Sequence, residues 1–297
     1  MTRPARHSRR SYPSLLERLQ RALRALPRHR LVTFGVAVHG ARRYPLVAVT
    51  LTTGSAGRRR RRGLRPLRVC LGAGIHGDEP AGVEAVLRWL TRLPGIASSL
   101  PPVELVIFPC LNPSGYERNR RVNDDGIDLN RQYRNPRAPI EVRGVRSLLA
   151  CISGQRADGR AARRFDLSVE FHEDVDSAGF YLYELIDRRL PIGPDLVAAA
   201  ARRLPINHAS EIEGAEAEAG VIHRDRRAIR RRRTRWPHAL HLFHLGTPRC
   251  LTFETPVTVP LARRAAVHAD LFTLALRLEA WGHRRTLHRF FRTGPHI

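Results

Sequence analysis

Short apolar runs that alternate with helical stretches constrain this 297-residue chain more than any other feature. Residues 67–71, 103–108, 165–171 and 250–253 are rich in Val, Leu, Ile, Phe and Cys and too short for helices. Residues 81–93, 142–152, 194–204 and 261–281 carry their apolar residues at helical spacing. This alternation predicts an α/β fold: a mixed, largely parallel central sheet with helices on both faces. The runs 31–38 and 45–52, separated by His39 to Tyr44, read as a hairpin, and 180–185 as a further strand. In open sheets of this kind the functional sites lie beyond the carboxyl ends of the strands. His76, Asn112, His172 and Glu254 each fall at such an end.

The stretch GAGIHGDEP at 72–80 joins the strand 67–71 to the helix 81–93. It sets an imidazole, His76, and a carboxylate, Glu79, three residues apart on a glycine-rich turn, where the two can converge on one point. A catalytic zinc ion takes two ligands of that kind and needs a third, leaving a position for water. His172, at the end of a separate strand, offers the third. Glu254 offers a second carboxylate to take the proton of that water. Each residue has a plainer reading as well. His172 alone reads as a satisfied core or surface histidine, and Glu254 alone as a strand-end charge or a partner for an arginine. Glu173 rivals both and is assigned a supporting or structural place. Residues 116–137, polar and too long for a connector, read as a functional loop.

In order, the chain presents HGDE (76–79), NPSGYERNRRVN (112–123), GIDLNR (126–131), FHE (171–173) and FET (253–255). This series resembles the zinc metallocarboxypeptidase family over residues 65–275. The likeness is nearest to short bacterial members of the murein-peptide amidase type, with the aspartoacylase/succinylglutamate desuccinylase branch as a relative. The resemblance implies one zinc ion per chain held by His76, Glu79 and His172, with Glu254 as general base. It implies that Arg121 polarises the scissile carbonyl, with Arg118 and Arg120 as competitors for that register, and that Asn130 and Arg131 clasp the carboxylate of a substrate. A guanidinium fork beside an amide suits a carboxylate. Asp128 and Tyr133 are expected to fix the loop. The chain departs from the larger digestive members in having no tyrosine after Tyr183, and in carrying Glu173 directly after the third ligand. The implied activity is hydrolysis of an amide bond in a carboxylate-bearing substrate, first as a metallocarboxypeptidase acting on peptides. The alternative is deacylation of an N-acyl amino acid.

The formal charge of +25 raises a rival: a basic protein binding nucleic acid or membrane, with a vestigial site. All 52 basic residues are arginine, however. Phosphate contacts give no reason to exclude lysine, so the arginine runs 58–62 and 230–233 read as solvated loops and no specific nucleic acid is expected. Arginines interrupt the N-terminal apolar residues, and no run reaches a membrane span, which places the chain in the cytoplasm by default. Cys70, Cys110, Cys151 and Cys250 form no CxxC pair and read as small buried hydrophobes. The expected organisation is a basic extension with an amphipathic helix at 1–30, a catalytic domain at 31–281 and a basic tail at 282–297. Residues 206–237 lack a pattern and are expected to be irregular or a lid.

Overall fold

The computed structural model describes residues 10–53, 65–154, 162–225 and 234–281. The arginine runs 58–62 and 230–233 and the tail 282–297 lie outside these residues. The first element is helix α1 (Tyr12–Leu23), whose N-cap Ser11 accepts a hydrogen bond from Ser14 N and whose first turn carries proline. Leu15, Leu19 and Leu23 recur on one face of α1 and are buried in the main core. Each such leucine contributes about 1.5–3 kcal/mol through burial.

Strands β1 (His29–His39) and β2 (Arg42–Thr52) form the expected hairpin, turning at Gly40 with φ of 59°. Strand β3 (Leu67–Ala73) leads through the HGDE turn into α2 (Pro80–Ile96), and β4 (Val103–Phe108) follows. Helix α3 (Pro113–Arg118) and a single 3-10 turn (Leu129–Arg131) lie inside the polar stretch after β4. Helix α4 (Ile140–Ser153), strands β5 (Leu167–Asp174) and β6 (Tyr181–Ile186), and helix α5 (Gly193–Ala200) come next. The chain continues through β7 (Glu211–Ile212), β8 (Ala215–Glu216), β9 (Val221–Arg224), α6 (His238–His244), β10 (Arg249–Pro256) and α7 (Leu261–Trp281).

Eight strands form one sheet in the order β1-β2-β4-β3-β5-β10-β6-β9. The central four, β4, β3, β5 and β10, are mutually parallel, and β10 inserts between β5 and β6. One face is covered by α1, α2, α5 and α7, which share a core with Leu71, Val169, Phe171 and Phe253. The other is covered by α4 and α6 over Cys70, Phe108 and Cys250.

Three expectations need correction. Residues 206–237 are not simply irregular: β7 and β8 pair as a minimal hairpin, β9 extends the main sheet beside β6, and α6 begins at His238. Strands β5 and β10 run on to Asp174 and Pro256, so His172 and Glu254 stand within their strands rather than just beyond them. Of the four cysteines, Cys151 is exposed, because it falls on the outer side of α4; the other three are buried.

Candidate metal centre and active site

The turn after β3 is held from three sides. Gly74 takes a φ of 62°, and its carbonyl accepts from Asn112 N at 2.9 Å while Ala73 O accepts from Leu111 N at 3.0 Å, tying the exit of β3 to that of β4. Gly77 lies so close to the Asn-Pro-Ser-Gly turn that a Cβ there would sit 2.0 Å from the carbonyl carbon of Gly115. Its own carbonyl accepts from Arg10 Nη1 at 2.8 Å. Asn112 does double duty: its Oδ1 caps α3 by accepting from Gly115 N at 2.9 Å, and its Nδ2 donates to Arg121 O at 3.2 Å.

This frame brings His76, Glu79 and His172 together. One ligand atom from each lies within 4.8 Å of the others, and all three residues are buried. His76 Nδ1 is 2.5 Å from Glu79 Oε1, His172 Nδ1 is 2.8 Å from Glu79 Oε2, and the two Nδ1 atoms are 3.2 Å apart. Protonated at Nδ1, each imidazole donates to the Glu79 carboxylate; deprotonated there, the two lone pairs and the carboxylate face one another and call for a cation among them. Two imidazoles and one carboxylate are also the ligand types that hold zinc while leaving a position open, so the residues fit such an ion. Burial by itself raises the Glu79 carboxyl, but the adjacent His76 and His172 hold it well below the usual carboxylate range. Burial lowers both histidines, but Glu79, joined by Asp128 at His76 and by Glu254 at His172, outweighs it, so both end above their ordinary value. Outside the cluster, Asp128 Oδ1 stands 3.5 Å from His76 Nε2 while also accepting from Asn130 N at 2.9 Å. Asp128 thus braces the loop and the histidine together.

Glu254 is the in-register neighbour of His172 across the parallel β5–β10 pair, so the two side chains share a face of the sheet. Burial pushes its carboxyl up to about 8, with Glu79 and Asp174 adding to the rise and His172 and Arg121 opposing it. Of the three candidate arginines, Arg121 reaches the cluster: Nη1 lies 3.4 Å from Glu79 Oε1 and Nε 3.4 Å from Asp128 Oδ2. Arg118 is paired with Asp124, and Arg120 is exposed. Asn130 is buried, and its Oδ1 accepts from His238 N at 3.0 Å, which leaves its NH2 to donate elsewhere. Arg131 is half-buried beside it, with Nη1 donating to Asn130 O at 3.1 Å.

Glu173 turns to the other face of the sheet. It accepts from Ala81 N at 2.7 Å at the start of α2 and pairs with Arg264 of α7, a fold-holding contact. Two residues that sequence reading passed over also line the site. Tyr181 pairs in register with Glu254, and its hydroxyl donates to Asp174 Oδ2 at 2.8 Å. Period-two spacing from His172 to Asp174 was the available signal for this pair.

A largely parallel sheet that carries a His–Glu–His cluster, with a further carboxylate beside it on the neighbouring strand, defines the class: a hydrolase of α/β architecture with a candidate metal centre. The model of the succinylglutamate desuccinylase/aspartoacylase catalytic domain matches residues 66–221, just over half of the chain, and the chain belongs to this family. Among characterised sequences, carboxypeptidase SOL1 of Arabidopsis thaliana is 38% identical over 66 residues, 20% of this chain and 13% of the plant protein. The chain therefore matches only a small part of that relative's length. Among solved structures, a protein from Shewanella baltica, provisionally described as a metallopeptidase, matches with a TM-score of 0.69 at 22% identity, over 91% of each chain. A metallo-carboxypeptidase from Burkholderia cenocepacia matches with a TM-score of 0.63 at 20% identity, over 91% of this chain and 69% of its own. One from Pseudomonas aeruginosa, in complex with (2-guanidinoethylmercapto)succinic acid, matches with a TM-score of 0.62 at 15% identity, over 91% of this chain and 69% of its own. At these identities the structural likeness is one of fold. No helix among the described residues is long and apolar enough to cross a membrane.

Proposed function

We propose that the protein is a zinc-dependent hydrolase that cleaves an amide bond in a carboxylate-bearing substrate, with peptides as the first substrate class. The observation that carries this reading is the convergence of the His76 and His172 Nδ1 atoms on the Glu79 carboxylate, beside the in-register Glu254. His76, Glu79 and His172 would hold one zinc ion, which would supply a Lewis acid to polarise the scissile carbonyl and acidify water. Glu254 accepts the proton of the attacking water and returns it to the leaving nitrogen. Positive charge held by His76, Glu79 and His172 would oppose the rise in the Glu254 pKa and favour its carboxylate form. Arg121, held by Glu79 and Asp128, donates to the oxygen that becomes negative as the carbonyl is attacked. Asn130, fixed through Oδ1, turns its NH2 to the substrate carboxylate, and Arg131 supplies a guanidinium there. The stretch of likeness to a carboxypeptidase and the succinic-acid ligand of the Pseudomonas enzyme support a carboxylate-bearing peptide.

A second reading, deacylation of N-acyl amino acids with the same machinery, is favoured by the family model. Metal analysis and a substrate panel decide between them. Protein prepared without chelators is expected to bind zinc one to one and to release C-terminal residues from peptides. Release of acyl groups from N-acyl amino acids in place of peptide cleavage selects the second reading, and no stoichiometric zinc overturns both.

A further inference from the structure

Beneath the cluster lies a carboxylate to which the mechanism above gives no task. Glu170 precedes His172 by two residues on β5, faces the same side of the sheet and is 2% exposed. Among the described residues its ion-pair neighbours are two imidazoles. His172 Nε2 stands 4.0 Å from Glu170 Oε2, beyond hydrogen-bond reach, and His238 Nδ1 lies against Glu170 Oε1 as an ion-pair contact without a hydrogen bond. A buried carboxylate is costly unless it is matched by such partners. The sheet makes room for it: Gly72, alongside on β3, would bring a Cβ to 3.2 Å from Glu170 Oε2 if it carried one.

His238 in turn is wholly buried, tilted against the Tyr133 ring at 4.7 Å and edge-on to Phe108 at 6.0 Å. As the first residue of α6 it offers a free backbone N–H, and that group donates to Asn130 Oδ1. Charge contacts therefore run from His172 through Glu170 to His238, and a hydrogen bond carries on from His238 to Asn130. One end of this series is a ligand of the proposed metal, and the other is the amide that addresses the substrate carboxylate.

We propose that Glu170 is a positioning residue for both halves of the site, orienting His172 on one side and, through His238, Asn130 on the other. The inference rests on the zinc-hydrolase reading. A histidine that ligates a metal through one nitrogen is oriented by the carboxylate that faces its other nitrogen, and loss of such a carboxylate costs about 10–100-fold in metal affinity. Here the same carboxylate also sets the place of the residue that holds Asn130. Perturbing it moves metal affinity and substrate binding together, whereas a carboxylate that only filled space would lower stability alone.

The test is Glu170→Gln in the full-length protein, with Gly72→Ala as a gentler variant that crowds the same carboxylate from the neighbouring strand. Zinc affinity is read by competition with a chelator, ligand geometry by the visible spectrum of the cobalt-substituted protein, and substrate grip by KM. E170Q is expected to weaken zinc binding about 10–100-fold, to shift the cobalt spectrum, and to raise KM by a larger factor than it lowers kcat. G72A is expected to move all three readouts in the same direction by less. Wild-type zinc affinity, cobalt spectrum and KM in E170Q overturn the inference. If E170Q does not fold, unchanged zinc affinity and KM in G72A overturn it. Wild-type protein that binds no zinc overturns the functional reading itself, an outcome distinct from zinc-loaded wild type beside an unaltered variant.

Discussion

At the scale of single residues, a few positions have no freedom. Gly77 is one, because a methyl group there would overlap the backbone of Gly115. Gly77→Ala must push the turn carrying His76 and Glu79 away from α3, and zinc affinity measured by chelator competition is expected to fall by at least tenfold. Glu254→Gln keeps the shape of the site and removes the proposed proton acceptor. It is expected to retain zinc while losing about 10²–10⁴-fold in kcat, read by steady-state hydrolysis beside metal analysis. The residues that cluster, His76, Glu79 and His172 with Glu254 beside them, are legible in the sequence because HGDE, FHE and FET place them in short local patterns. Residue spacing alone does not separate Arg121, which the resemblance favours, from Arg118 and Arg120. Asn119, at the end of α3, takes a left-handed φ of 53°, and the carbonyl of Arg121 is pinned by the Asn112 side chain. Those two features shape the backbone from which the Arg121 side chain reaches Glu79 and Asp128, and neither leaves a trace in residue spacing. Glu170 was passed over for a similar reason: its partner His238 is distant in sequence and sits on a helix of only seven residues.

At the scale of elements, periodicity carried most of the reading. The long amphipathic stretch at 261–281 is helix α7 over the same span. Helix α1 was legible from its leucines, and its apolar face packs into the core with α2 and α7 rather than standing free. Leu19, fully buried, is expected to report this: Leu19→Ala should cost about 2–5 kcal/mol in urea unfolding. A change within ~0.5 kcal/mol would mean that the helix contributes nothing to the fold. Strands β7 and β8, two residues each, and the four-residue β9 are too short to show any period, so they were lost in the stretch read as irregular. The ends of β5 and β10 were lost differently. His172, Glu173, Asp174 and Glu254 are charged or polar residues that pattern reading assigns to loops, yet ladder hydrogen bonds with their neighbours keep them in strands.

At the scale of the whole molecule, alternation of strands and helices was enough for the class of the sheet but not for its strand order, which depends on long-range pairing. The electrostatics of the site are also a whole-molecule property, since they couple folding to pH. The Glu254 carboxyl ordinarily titrates near 4.5, and burial raises it to about 8 in the metal-free fold. Between those values the folded chain keeps a proton that the unfolded chain has released, so this group's contribution to stability falls as pH rises. Melts of chelator-treated protein should therefore show E254Q gaining on wild type from pH 5 to pH 8. A gap that stays constant with pH contradicts the raised value. Zinc should raise the melting temperature of wild type through binding to the folded state, and chelator should reverse it.

The insertion of β10 between β5 and β6 also bears on how the site comes into being. A chain made from its N-terminus releases His76, Glu79 and His172 long before Glu254, which arrives 82 residues after His172. Strands β5 and β6 cannot complete the sheet by pairing with each other, because the place between them belongs to a strand not yet made. On the proposed reading, the growing polypeptide gains its candidate metal-holding residues before its candidate proton acceptor, and hydrolysis has to wait until β10 slots into the sheet between β5 and β6.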